Sequence, residues 1–232
     1  MLIEFMGLPG AGKSTIARGV CASLRKSGCR LAWAPDAFVH SQPTLLRVYK
    51  LARIAAYGMF HPTSAAGAAR RSQSFPQPSR STAMRLMGNW LYVSAVCTMR
   101  PRSDELVVLD QGLGQGLYSL ALQSDDDRLP AIRRALNGAP CPDIVVSVEA
   151  PSAVVRERMR CRAASYSATE RLLLADQRWL DKSTRILGHV RQVLAERNVQ
   201  VLRCDSHAQT APAAIDFIAS AIAQRLSAGG GR

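Results

Sequence analysis

Acidic residues are missing from a long stretch of this chain. None occurs between Asp36 and Asp104, whereas Arg47, Lys50, Arg53, Arg70, Arg71, Arg80, Arg85, Arg100 and Arg102 all fall there. A segment with positive charge only raises the local concentration of phosphates, nucleotides or polynucleotide. A solvated helix face is the alternative reading of the same charges. Lysine is scarce as well: 30 basic residues include only Lys13, Lys26, Lys50 and Lys182, the rest being arginine, a bias that GC-rich coding also produces. The placement of the cations therefore says more than the net charge of +13.

Aromatic residues make up only 6% of the chain. With no RNA-binding aromatic motif and no helix-turn-helix signature, a dedicated nucleic-acid module is disfavoured. No apolar run approaches the roughly 18 residues that span a bilayer, and no leader-like segment precedes the apolar start at Leu2. A cytoplasmic protein with no membrane partner is expected. Cys21, Cys29, Cys97, Cys141, Cys161 and Cys204 show no paired spacing and the four histidines are scattered, so reduced, packing thiols are expected rather than a zinc site.

What the sequence does contain begins at once. Gly7-Leu8-Pro9-Gly10-Ala11-Gly12-Lys13-Ser14 completes the pattern GxxxxGK(S/T) directly after the apolar run Leu2 to Met6, as a strand feeding a phosphate-binding loop and helix requires. Its glycines let several backbone N–H groups turn toward phosphate oxygens, and the helix that follows adds the positive end of its dipole. Lys13 is placed to bridge the β- and γ-phosphates of ATP and Ser14 to reach Mg²⁺, with Thr15 within the first helical turn. Gly7, Pro9, Gly10, Ala11, Gly12, Lys13, Ser14 and Thr15 form the expected nucleotide site.

Apolar runs alternate with longer helical stretches, the βαβ pattern of an α/β fold with a parallel sheet covered on both faces. Strands are expected at Leu2 to Met6, Arg30 to Ala34, Leu106 to Asp110, Ile144 to Val148 and Val199 to Cys204. One domain over 1–228 accommodates them, with a disordered tail over 229–232. A helical hairpin is expected in the insertion 36–103: Leu45 to Phe60, capped by Thr44, and Thr82 to Met99. Between them, His61 to Ser81 is rich in Pro, Ser, Ala and Gly and predicts a loop. Asp125-Asp126-Asp127 predicts a cap for a helix over Asp127 to Leu136. Further helices are expected at Ser152 to Arg162, Thr169 to Arg197 and Pro212 to Leu226.

Asp110 closes an apolar strand, the arrangement that sets a carboxylate beside the phosphate loop to hold Mg²⁺. Asp36 follows the second strand, where a carboxylate can accept a proton from an attacking hydroxyl or cap the next helix. Arg158 and Arg162, four apart on one helical face, are candidates for a lid over 156–171 that supplies charge to the transferring phosphoryl group. Gly112, Gly114 and Gly116 match a dinucleotide fingerprint only superficially, since the spacing is GxGxG.

On Gly7 to Thr15, Asp110, the arginines Arg158 and Arg162, and Val201 to Ser206, the chain resembles P-loop kinases of the nucleoside monophosphate kinase group, thymidylate-kinase-like branch. The resemblance implies the strand order 2-3-1-4-5, ATP over the first loop, adenine beside Val201 to Ser206 including Asp205, and an acceptor held by the insertion. Where that branch carries Asp-Arg after the third strand, this chain has Asp110-Gln111, which leaves the acceptor open. The function implied is γ-phosphate transfer from ATP to a small anionic or hydroxylated acceptor. A nucleic-acid-binding NTPase or switch, or a polynucleotide 5′-hydroxyl kinase, is the alternative. The apolar stretches Ala52 to Phe60 and Trp90 to Val96 are candidate homodimer faces, or else core.

Overall fold

Strand β1 (Leu2–Gly7) is buried at all six positions. A strand buried on both sides must be covered on both sides, which is why it reads as an apolar run interrupted only by Glu4. The computed structural model of the chain describes residues 1–33, 43–99, 105–161 and 168–229. From β1 the chain runs through α1 (Lys13–Lys26), β2 (Leu31–Trp33), α2 (Pro43–Phe60), α3 (Pro62–Ser72), α4 (Arg80–Thr98), β3 (Leu106–Leu109) and α5 (Leu113–Leu122). It continues through α6 (Leu129–Leu136), β4 (Ile144–Glu149), α7 (Ser152–Arg160), α8 (Ala168–Ala175), α9 (Gln177–Glu196), β5 (Gln200–Asp205) and α10 (Ala211–Gly229).

All strand pairs are parallel, in the order β2-β3-β1-β4-β5, the order the family resemblance implies. Helix α1 packs with α10, while α5 packs with α9, α4 and β1. The register sets Glu4 opposite Leu109 and Gly7 opposite Val148, so the carboxyl ends of β1, β3 and β4 open on one edge. At that edge the order reverses, the place where open α/β sheets bind ligands. Among the described residues, no helix is long and apolar enough to cross a membrane.

The insertion departs from the expected hairpin. Residues predicted as a loop form α3, so the described part of the segment holds three helices, α2 to α4. Alanine decides the matter: Pro62 starts the helix and the Ala-rich stretch that follows has the highest helix propensity. Burial then fixes it, because Trp90 of α4 is fully buried and donates its indole N–H to the Ala68 carbonyl at 3.0 Å. The turn after α3 is pinned too, with Phe75 buried and Gln77 donating to Phe75 O at 2.9 Å and Leu120 O at 3.0 Å. Thr44 lies inside α2, which begins at Pro43, and so is not its cap.

Other expectations are corrected. The triplet Asp125 to Asp127 does not cap α6, whose N-cap residue is Arg128 with no side-chain bond. Instead Asp126 pairs with Arg128 and Arg134, and Asp127 pairs with Arg185 of α9 at 2.6 Å. Carboxylates are drawn to arginines more strongly than to amides when both are within reach. The long helix expected from Thr169 is broken at Asp176, which accepts from Arg178 N and caps α9. Trp90 to Val96 is core rather than a dimer face, except at half-buried Leu91. Leu45, Val48, Leu51, Met59 and Phe60 of α2 are exposed. Helix α10 continues to Gly229, beyond the helix end expected at Leu226.

A cleft at the carboxyl edge of the sheet

The loop joining β1 to α1 is shaped by backbone that only glycine adopts readily. Gly10 and Gly12 have φ of +84° and +93°, in the left-handed region that penalises a Cβ. At Gly10 a Cβ would also lie 2.9 Å from the Val155 carbonyl oxygen. Lys13 opens α1, and its ammonium reaches back to donate to Gly7 O and Leu8 O, each at 3.0 Å. No acid stands in the first turn of α1, so the helix N-terminus is left to attract an anion. Pro9, Gly10, Gly12, Lys13, Ser14 and Thr15 line one end of a cleft of about 970 Å³. Ala11 is buried, and its carbonyl accepts from the Ser206 hydroxyl at 2.6 Å.

Asp110, just past β3, lines the same cleft. Its Oδ2 accepts from the Ser14 hydroxyl at 2.8 Å, and its Oδ1 is buried with no hydrogen-bond partner. An oxygen buried without a donor calls for a ligand that supplies positive charge. The hard-oxygen pair Ser14 and Asp110 therefore fits a Mg²⁺ ion, which takes one or two protein oxygens and completes its shell with phosphate and water. No group of three His, Cys, Asp or Glu side chains able to hold a metal occurs among the described residues.

Arg158 of α7 approaches the loop from the other side. Its Nη1 and Nη2 donate to Ser206 Oγ at 3.0 Å and Ser206 O at 3.1 Å, and a Cβ on Gly12 would lie 3.9 Å from Nη1. The side chain thus clamps the β5–α10 turn against the phosphate loop. Asp205 begins that turn: its Oδ1 accepts from Ala208 N at 3.0 Å and His207 N at 2.8 Å, and these bonds hold its carboxyl below the usual carboxylate range. Asp205 shapes the turn with its side chain already engaged. Arg156 donates to Gln177 at 2.6 Å, joining α7 to α9. Asp36 and Arg162 lie outside the described residues.

The far end of the cleft is built by the insertion. Arg47, Lys50, Leu51 and Ile54 of α2 face it, with Met84, Arg85 and Asn89 of α4 and Tyr118 and Gln123 from and just after α5. Lys50 sits 4.9 Å over the Tyr92 ring. Arg53, three residues after Lys50 on α2, donates instead to Met99 O at 2.9 Å. Of the described lining residues, Lys13, Arg18, Arg47, Lys50 and Arg85 are cationic and only Asp110 and Glu170 are acidic.

Three sets of contacts at the site escape a reading of sequence alone. Ser206 links the loop to Arg158. Gln115 accepts the buried Gly7 N–H on its Oε1 at 3.1 Å. Glu4, fully buried, accepts from Gly114 N at 3.0 Å and Gln115 N at 2.9 Å. The available signal was the GxGxG after the third strand. A Cβ on Gly112 would lie 2.4 Å from the Glu4 carboxyl carbon and one on Gly114 3.2 Å from its Oε1.

No family model matches the sequence, and no curated protein does. Solved structures do share the fold. Deoxyadenosine kinase from M. mycoides with bound dATP superposes with a TM-score of 0.52 at 16% identity, over 96% of this chain and 99% of that one. The same kinase with bound dCTP gives 0.51 at 15% identity over 97% and 100%. With the products dCMP and a flexible dCDP it gives 0.51 at 14% over 97% and 99%. The chain thus shares the fold of these structures, with the five-stranded parallel sheet in the order 2-3-1-4-5.

Proposed function

We propose that this chain is an ATP-dependent phosphotransferase, moving the γ-phosphate of ATP to a small acceptor seated between the phosphate loop and helices α2 and α4. The observation that carries this reading is that Lys13, Ser14 and Asp110 open onto the same cleft as Arg47, Lys50 and Arg85. Its nucleoside kinase fold, shared with solved structures described with nucleotides bound, supports it.

In this reading the loop amides and Lys13 hold the triphosphate. Ser14 and Asp110 would hold Mg²⁺, which would supply charge neutralisation to the transferring phosphoryl group. Phosphoryl transfer of this kind depends on positioning and electrostatics more than on covalent chemistry. Asp36 is assigned to orient the acceptor, Arg162 to the lid, and Asp205 to the turn that borders the adenine. Arg158 acts by holding that turn to the loop.

Arg47 and Arg85 stand on helices that pack together, and neither has a carboxylate partner among the described residues. With no acid in 37–103 to compensate them, they favour an acceptor that carries a phosphate over a neutral one. The thymidylate-kinase-like branch is one setting for such chemistry.

The test is ATP consumption with Mg²⁺ by the purified chain against nucleosides, nucleoside monophosphates, sugar phosphates and oligonucleotides, with Lys13→Ala as control. Transfer to a small acceptor that falls by on the order of 10³-fold or more in the variant is expected. Hydrolysis stimulated only by polynucleotide, or turnover retained in the variant, overturns the reading.

A further inference from the structure

A carboxylate in the middle of a fully buried strand is an unfavourable choice unless something answers it. Glu4 occupies that position in β1 with no exposure to solvent. Burial pushes its carboxyl up to about 7, against the opposing pull of the Gln115, Gly114, Leu113 and Gly112 backbone N–H groups at the start of α5. Two glycines leave it room, since side chains at Gly112 or Gly114 would crowd it.

The position of Glu4 gives this cost a purpose. Across the sheet it pairs with Leu109, the residue before Asp110, and its side chain packs on Gly112, two residues after Asp110. Asp110 is thereby held between two points that both rest on Glu4. On the other side, Glu4 fixes the Gln115 backbone, whose side chain accepts from Gly7 N, while Gly7 O accepts from Lys13 Nζ. One buried carboxyl group therefore anchors both halves of the phosphate site.

We infer that Glu4 is a positioning residue for nucleotide and metal binding, acting through the first turn of α5 and through Gln115 to set Asp110 and the Gly7 end of the phosphate loop. The inference rests on the proposed nucleotide site, and it touches neither the acceptor nor the reacting atoms directly. Residues that orient a metal's ligands from behind change metal affinity about 10–100-fold when removed.

The experiment is titration of Mg²⁺ into the full chain with a fluorescent ATP analogue, for wild type, Glu4→Gln, Gln115→Leu and Ile132→Ala, with melting temperatures beside each. Glu4→Gln sets an amide NH₂ against the α5 amides. Gln115→Leu keeps the Glu4 bonds, which use backbone N–H groups, and removes only the link to Gly7. Ile132, buried in α6, reports what a loss of stability alone does.

Both Glu4→Gln and Gln115→Leu are expected to raise the Mg²⁺ concentration for half-maximal binding by about 10-fold or more, and Ile132→Ala to lower the melting temperature without that shift. A Gln115→Leu chain that melts like wild type and keeps the wild-type Mg²⁺ dependence overturns the inference. The same holds if Ile132→Ala shifts that dependence equally. Wild-type binding with the expected shifts but no phosphoryl transfer to any acceptor leaves Glu4 in its role and removes the transferase reading instead.

Discussion

Ser14 and Asp110, 96 positions apart in the chain, meet with hydroxyl and carboxylate 2.8 Å apart at the carboxyl edge of the sheet. The outer oxygen of this pair is bonded and the inner one, Oδ1, is buried without a partner. That asymmetry separates binding from stability. Asp110→Ala is expected to reduce Mg²⁺-dependent transfer on the order of 10²-fold or more, while the melting temperature stays level or rises, because a buried unsatisfied oxygen is removed. Parallel activity and calorimetric measurements check this; a large loss of stability would show that Asp110 is there for the fold.

Ser206 is the joint between the phosphate loop and α7, donating to Ala11 O and accepting from Arg158. Ser206→Ala removes both side-chain bonds, worth about 1 kcal/mol each. Nucleotide affinity is expected to weaken by about 5-fold or more, read by isothermal titration with a non-hydrolysable ATP analogue. Unchanged affinity would mean that the loop holds its shape without the clamp.

Glu4 makes stability depend on pH. Its carboxyl stands at about 7 in the folded chain against an ordinary 4.5. Between those values the folded chain holds a proton that the unfolded chain has lost, so this contribution is complete below the unfolded pKa and is lost as pH rises through the folded one. The whole effect is roughly 3 kcal/mol. Thermal melts from pH 4.5 to 7.5 are expected to show a falling contribution in wild type that Glu4→Gln abolishes. An identical slope in the variant would assign the dependence to other groups.

Arg47 and Arg85 set the charge of the acceptor end. Replacing both with alanine is expected to raise KM for a phosphorylated acceptor by about 10-fold or more while leaving KM for ATP within about 2-fold, since charge-assisted bonds contribute about 1.5–3 kcal/mol. Steady-state kinetics with each substrate varied in turn decide it. An equal rise in both constants would place these arginines on the ATP side.

Much of the fold was legible because its signals are local. A glycine loop between an apolar strand and an amphipathic helix needs only neighbouring residues to declare itself, which is the basis for Lys13 and Ser14, and an acid closing a four-residue apolar run is an equally local signal for Asp110. Helix α3 was not legible, since small residues read as loop until Trp90 closes over Ala68. The aspartates at 125–127 misled for a related reason: besides the neighbouring Arg128, Asp126 meets Arg134 of α6 and Asp127 meets Arg185 of α9, partners that lie beyond the turn they begin.

By itself the sequence determined the alternation of strands and helices, the phosphate loop and the absence of acid across the insertion, because each is a property of residues near one another in the chain. Only the tertiary structure decided that Glu4 sits beneath Gly112, that Ser206 grips the loop, and that Arg47 and Arg85 share a cleft with Lys13. Those relationships join residues separated by tens to hundreds of positions. Packing creates them; at Glu4, a carboxyl group, two glycines and a helix N-terminus occupy the same buried space.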